Sequence, residues 1–229
     1  MNITRTIRRH LRGIISLGIA THAAIASISA SKAIAQDLQT LNTWVIETQI
    51  HKSLPPYRLS FDGYTDDEGR EYVQDIFIDK RGEQRWQPHQ HLSNLEAWSH
   101  NLVGSGHVIE DLNFDGYADL RVQEFLPASP NIPYLYWLFN PTTRQFEANT
   151  ALSIITTPEV NAETQTIRSF ARVNANTYVW SDYQWRSGQL TLVREERATY
   201  NSEGQRRVVI SELQGDRLVV VSDRFEAVD

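Results

Sequence analysis

The sequence predicts an all-β fold: an antiparallel meander forming a β-sandwich or a short propeller-like stack, with a calcium-type loop between two strands. Three observations predict it. From residue 176 onward, apolar and β-branched runs alternate with turn signals about 8–12 residues apart, the rhythm of short antiparallel strands. No stretch holds a 3.6-residue apolar period, apart from a short helix that the pattern allows at 91–100. The Asp/Asn/Gly-rich stretch Asp111–Asp119 is flanked by His107-Val108-Ile109 and Leu120-Arg121-Val122-Gln123-Glu124-Phe125, which read as strands, not helices.

The chain opens with a segment marked for removal. Residues 1–35 hold Arg5, Arg8, Arg9, Arg12 and Lys32 and no acidic residue. The apolar run Ile14-Ile15-Ser16-Leu17-Gly18-Ile19-Ala20 follows, and Ala33-Ile34-Ala35 supplies a cleavage site before Gln36. This is the pattern of a secretory signal peptide. His22 and several Ser and Thr residues interrupt the run, so it is not a stable membrane span. Arg8-Arg9 resembles a twin-arginine signal, but His10-Leu11-Arg12 fits that pattern poorly, which leaves the general secretory route. No Cys follows the cleavage site to carry a lipid.

Cleavage changes the charge balance. The whole chain has 22 basic and 28 acidic residues, a net charge of −6; removing the five basic residues of 1–35 leaves 17 against 28, or −11 on 194 residues. An acidic exported protein is poorly suited to nucleic acid or an anionic membrane and better suited to a cationic partner. The absence of Cys excludes disulfides, thiolate nucleophiles and Cys-ligated zinc. The length fits one domain over 36–229, with 36–56 as a possible N-terminal extension.

Taken in order, Thr43–Ile50 reads as a first strand that Leu54-Pro55-Pro56 stops. Tyr57–Phe61 alternates and runs into Asp62-Gly63, which opens an acidic loop over 62–69. Its spacing matches no cation pattern, so it reads as a solvated loop. Tyr72–Asp79 is the next strand, turned at Asp79-Lys80-Arg81-Gly82. His89 and His91 sit two apart with no third ligand, and read as surface histidines. Tyr134–Phe139 is the most aromatic run, a central strand turned by Asn140-Pro141-Thr142-Thr143. Its aromatics read as core, with a sugar platform as the alternative. Further strands are expected at 152–157, 166–173, 177–186, 190–200, 206–213 and 217–225.

Asp111-Leu112-Asn113-Phe114-Asp115-Gly116-Tyr117-Ala118-Asp119 carries oxygen-bearing side chains at loop positions 1, 3, 5 and 9 and Gly at 6. In a calcium loop of the EF-hand type, such oxygens converge on one point, the Gly permits the turn, and position 7 offers a backbone carbonyl, here that of Tyr117. Position 12 is Val122, so the bidentate Glu is missing, with Glu110 and Glu124 as nearby alternatives. A plain Asp/Asn/Gly turn between strands is the other reading.

For catalysis the chain offers little. It has no Cys, no G-x-S-x-G elbow around Ser105, no phosphate-cradling loop, no HExxH and no dinucleotide fingerprint. Glu195 and Glu196 are adjacent, so on a strand they face opposite sides and cannot act as an acid/base pair. The expectation is a binding protein, not an enzyme.

Glu110–Leu120 and Tyr136–Glu147, with the weaker Ile167–Arg172 and Tyr183–Leu190 in matching order, resemble the signature of a family of secreted bacterial β proteins. The similarity spans roughly residues 57–200. The family includes periplasmic immunity proteins that neutralise lysozyme-like effectors of interbacterial type IV secretion, and it is similar to periplasmic lysozyme inhibitors. The resemblance implies a periplasmic inhibitor of a peptidoglycan hydrolase. It also implies one structural calcium held by Asp111, Asn113, Asp115, Asp119 and the carbonyl of Tyr117. Related inhibitors insert a Ser-Gly loop into the enzyme cleft; Ser105-Gly106-His107 is the matching candidate, without the aromatic that usually follows.

Overall fold

The computed structural model describes residues 3–6, 40–99 and 106–227. Its strands form three antiparallel sheets. The first runs β1 (Ile3–Thr6), β2 (Thr40–Thr48), β3 (Tyr57–Thr65), β4 (Glu71–Arg81) and β5 (Trp86–Leu92), with β6 (Ala97–Ser99) on β4. The second contains β7 (His107–Glu110), β8 (Asp119–Gln123), β9 (Tyr134–Asn140) and β10 (Gln145–Ala148), in the order β10-β9-β8-β7. The third is a meander of β11 (Glu159–Asn161), β12 (Thr166–Arg172), β13 (Thr177–Arg186), β14 (Gln189–Tyr200), β15 (Gln205–Gln214) and β16 (Arg217–Ala227). Among the described residues no helix is long and apolar enough to cross a membrane.

The side-chain alternation of β9 explains how the sheets stack. Leu135, Trp137 and Phe139 point into one apolar cluster, with Trp44, Leu59, Phe61 and Ile76 of the first sheet. Tyr136, Tyr134 and Leu138 point into another, with Ile167, Tyr183 and Trp185 of the third. The second sheet is therefore the middle layer of an open sandwich, apolar on both faces. That is why β9 reads as an unbroken apolar run. Arg121 of β8 is buried and is paired with Glu110 at 2.6 Å, its guanidinium 4.6 Å from the Tyr134 ring.

Several local expectations change. Within the stretch read as a possible N-terminal extension, β2 pairs along its length with β3, and Trp44 and Ile46 are buried. The backbone of Ile3–Thr6 pairs with Thr43–Ile46, so β1 falls within the stretch marked as a signal peptide; in a cleaved chain β2 becomes that edge. Most of that stretch lies outside the described residues. Asp62-Gly63 opens no loop but lies within β3, opposite a bulge in β4 at Gln74. A Cβ on Gly63 would lie 1.6 Å from the Tyr72 carbonyl oxygen, so the glycine is there for close strand approach. The hairpin expected at 79–82 closes later, with Gly82 N–H bonded to Arg85 O. Where a helix was expected at 91–100 the described residues form the end of β5, a connection and β6, and the first half of the strand expected at 152–157 is the end of the 3-10 turn Thr150–Ile154.

Candidate metal centre

The Asp-rich stretch is the connection between β7 and β8, as the sequence implies. Its side-chain oxygens bind the loop's own N–H groups. Asp111 Oδ1 and Asn113 Oδ1 both accept from Asp115 N–H, at 3.1 and 3.2 Å, and Asp111 Oδ2 accepts from Gly116 N–H at 2.8 Å. Asp115 Oδ1 accepts from Tyr117 N–H at 2.9 Å, and Asn113 Nδ2 donates to Asp115 Oδ2 at 3.0 Å. Phe114 and Gly116 take positive φ, 61° and 89°, which curls the backbone around these oxygens. Nothing lies within 4 Å of a Cβ built on Gly116, so its glycine answers to conformation and not to space.

Asp119 does something different. It is fully buried; its Oδ2 accepts from Leu112 N–H and its Oδ1 from Phe139 N–H, both at 2.7 Å. One carboxylate thus ties the start of the loop to the end of β9. Burial pushes its carboxyl up to about 7; the Phe139 and Leu112 N–H groups pull it down, and the charges of Asp115 and Asp111 add to the rise.

The loop touches every layer. Trp185 Nε1 of the third sheet donates to Leu112 O at 2.9 Å, and Ala118 N–H donates to Ile50 O just beyond β2. Leu112 and Phe114 pack into the cluster shared with the third sheet, and the Tyr117 ring into the cluster shared with the first. Tyr117 lies 5.7 Å from Phe139 and 4.5 Å from His51, ring centre to ring centre.

The donor set fits a hard cation in kind: carboxylates, an amide oxygen and a backbone carbonyl. Its arrangement limits which groups would serve. Among the described residues no three His, Cys, Asp or Glu side chains gather as a metal-holding group. A cation would therefore have to draw on Asn113 and the Tyr117 carbonyl as well as Asp111 and Asp115. Asp119 already serves two N–H groups. The alternatives for position 12 differ in their other duties. Glu110 is paired with Arg121, and Val122, at position 12 itself, is buried in the core; Glu124 is held through its backbone by Trp98 and Pro133, which leaves its carboxylate out of those bonds.

The partner-contact candidates fare otherwise. Ser105 lies outside the described residues. Gly106 and His107 are buried, and the His107 ring lies 5.0 Å from Phe61. Gly106 precedes β7 and His107 opens it. His89 and His91 go to separate partners, the Arg144 carbonyl and Asp75. Glu195 pairs with Arg197 and Glu196 with Arg194. The acidic turn at 66–70 closes on itself, Asp66 accepting from the N–H groups of Glu68 and Arg70.

This fold has a precedent among solved structures. The chain is similar to a Xanthomonas type IV secretion system related protein, with a TM-score of 0.53 and 15% identity over 78% of this chain and 93% of that one. That likeness establishes a shared fold. No family model and no curated protein matches the sequence.

The sequence missed the clamp role of Asp119 and the part played by Trp185. The first was visible only as a ninth loop oxygen. The second had no signal beyond an aromatic in a strand.

Proposed function

We propose that this protein is an exported, periplasmic inhibitor of a lysozyme-like peptidoglycan hydrolase, of the immunity type, and that one calcium ion stabilises its central loop. One observation carries the reading. The sequence blocks that resemble the immunity family, 110–120, 136–147 and 183–190, meet at a single point. Asp119 bonds Phe139 N–H, and Leu112 bonds both Asp119 and Trp185. A resemblance scattered in sequence but joined in space supports a common structural unit. The likeness to a type IV secretion system related fold supports the same reading. The acidic surface of the processed chain would speed encounter with a basic enzyme. The protein binds and does not catalyse. Calcium, at Asp111, Asn113, Asp115 and the Tyr117 carbonyl, with Asp119 behind them, would offset the mutual repulsion of the loop carboxylates.

The test is cell-wall lysis by a panel of lysozyme-type hydrolases, including any encoded beside this gene, with and without the purified protein. Stoichiometric inhibition of one of them supports the reading; inhibition of none removes it. For the ion, calcium added to metal-stripped protein should release heat and raise Tm. Asp115→Ala should abolish both responses.

A second reading, an exported ligand-binding or adhesion module, draws on Phe170, Tyr178 and Trp180. These half-buried rings lie on the face of the third sheet opposite Ile167, with Phe170 6.2 Å from Tyr178 and 5.3 Å from Trp180. Trp137, the more obvious aromatic, is buried and can touch no glycan. Retention on peptidoglycan, lost in Trp180→Ala, would favour this module.

A further inference from the structure

We propose that the β4–β5 hairpin end of the first sheet docks on an anionic phospholipid membrane surface, an interaction that does not rest on the inhibitor reading. Three turns meet there. Arg81 N–H donates to Pro56 O at 2.8 Å, which joins the turn before β3 to the β4–β5 hairpin. The Gln90 side chain bonds both the N–H and the carbonyl of Phe146, at 2.8 and 2.7 Å, which joins β5 to the β9–β10 hairpin. Residues 51–58, 79–86 and 140–147 hold six basic and three acidic residues, a net charge of +3. The remainder of 36–229 holds 11 basic and 25 acidic residues, or −14. Arg58 is paired with Asp79, but Lys52, Lys80, Arg81, Arg85 and Arg144 have no ion pair among the described residues. Four of these five are exposed and Lys80 is half-buried.

The occupant is argued from charge complementarity and from the apolar groups among the cations. Lys80 and Arg81 are neighbours on one strand and point to opposite faces, and the other three cations stand on separate turns or across the hairpin. That spread suits a charged plane better than one small anion. Trp86 is half-buried at the start of β5, with the guanidinium carbons of Arg58 and Arg81 at 5.0 and 5.3 Å from its ring centre. Phe77, on the Arg81 face of β4, is 39% exposed, and Pro88 of β5 is exposed. Tryptophan among Lys and Arg is the composition of an anchor at a membrane–water interface. Attraction between such cations and anionic headgroups reaches about one Debye length, ~10 Å at 0.1 M salt. The contact is therefore decided by the charges nearest the lipid and not by the net charge of the chain.

The experiment is co-sedimentation of the natural processed protein with vesicles, in chelator so that no calcium bridges protein to lipid. The vesicles are pure phosphatidylcholine or a mixture of it with phosphatidylglycerol. Binding should appear only on the anionic vesicles and fade as salt rises. Arg81→Gln and Arg85→Gln should each weaken it about fivefold, the contribution of one cation at such a surface. Trp86→Ala should weaken it without any change of charge. Arg172→Gln, which removes an unpaired cation from the third sheet, should leave it as it is. Tm measured on every variant separates lost binding from lost fold. Wild-type protein that ignores the anionic vesicles overturns the proposal, as does equal binding to pure phosphatidylcholine. Binding that survives Arg81→Gln and Arg85→Gln, or that Arg172→Gln weakens equally, also overturns it. Competition by millimolar glycerol phosphate would assign these cations to a small soluble anion, and capture by isolated peptidoglycan in place of vesicles would assign them to a glycan; either result removes the membrane.

Discussion

β9 and β16 carry the same sequence signal and meet opposite fates. Both read as continuous apolar runs, Tyr134-Leu135-Tyr136-Trp137-Leu138-Phe139 and Leu218-Val219-Val220-Val221. β9 is covered on both faces, by the first sheet on one side and the third on the other. β16 is exposed along nearly its whole length. An unbroken apolar run ordinarily announces a strand with two covered faces. β16 makes the announcement without the cover, and is guarded instead by the bulge at Val221 and by its ion pairs. The comparison also separates two ways of holding a strand. The middle sheet is held by packing, while the outer strands of the third sheet are laced by Arg207–Asp223, Arg206–Glu196 and Arg206–Glu226.

The largest expected effect sets these two regions directly against each other. Phe139 is buried against Tyr57, Tyr117 and Phe146, and Phe139→Ala should cost about 3–5 kcal/mol. Phe225→Ala, on the exposed strand, should cost less than about 0.5 kcal/mol. Urea midpoints at unchanged m-value would measure both, and similar losses would remove the contrast.

Next in size is the clamp. Asp119→Ala leaves two buried N–H groups without an acceptor and should cost about 2–4 kcal/mol. Its titration gives a second handle. The folded carboxyl, raised to about 7 chiefly by burial, lies above the ordinary unfolded value of 3.8. Between those values the folded chain keeps a proton that the unfolded chain releases. In chelator, stability should therefore fall as pH rises from about 4 to about 7, by at most roughly 4 kcal/mol, and level off above. Calcium favours the ionised carboxylate and should flatten this slope; Asp119→Asn should remove it. A stability that rises over the same window would contradict the burial argument.

Smaller still is Gly116→Ala, which forces a side chain into φ 89° and should cost about 1 kcal/mol. Calcium affinity should drop with it if the loop must hold that curl to present its oxygens. Loss of stability with intact affinity would separate the two.

The meander from residue 176 onward was readable because each strand there is bounded by a turn within a few residues. The first sheet was harder for reasons of chemistry. Gly63 sits beside Asp62 as a turn glycine would, yet it serves a close approach of backbones that only the folded sheet reveals. The polar stretch around Trp98 satisfied a helical spacing, but pairing with β4 decided its conformation. At the loop, Asp111, Asn113 and Asp115 act locally, and their grouping was legible. Asp119 and His107 were assigned by motif position, and tertiary burial gave both of them other surroundings. A ninth-position carboxylate looks the same in sequence whether it faces an ion or the backbone of a strand 20 residues away.

The junction at Leu112 has a kinetic consequence. Its bonds reach 73 residues ahead to Trp185 and, through Asp119, to Phe139, 20 residues beyond that carboxylate. Hairpins of neighbouring strands close far sooner than contacts of such reach. The loop can be completed only after the outer sheets have arrived on either side of the middle one, so it locks last. Interactions formed that late are missing from the folding transition state. The loop therefore acts as a brake on unfolding: loosening it shortens the lifetime of the native protein and leaves its rate of folding nearly untouched.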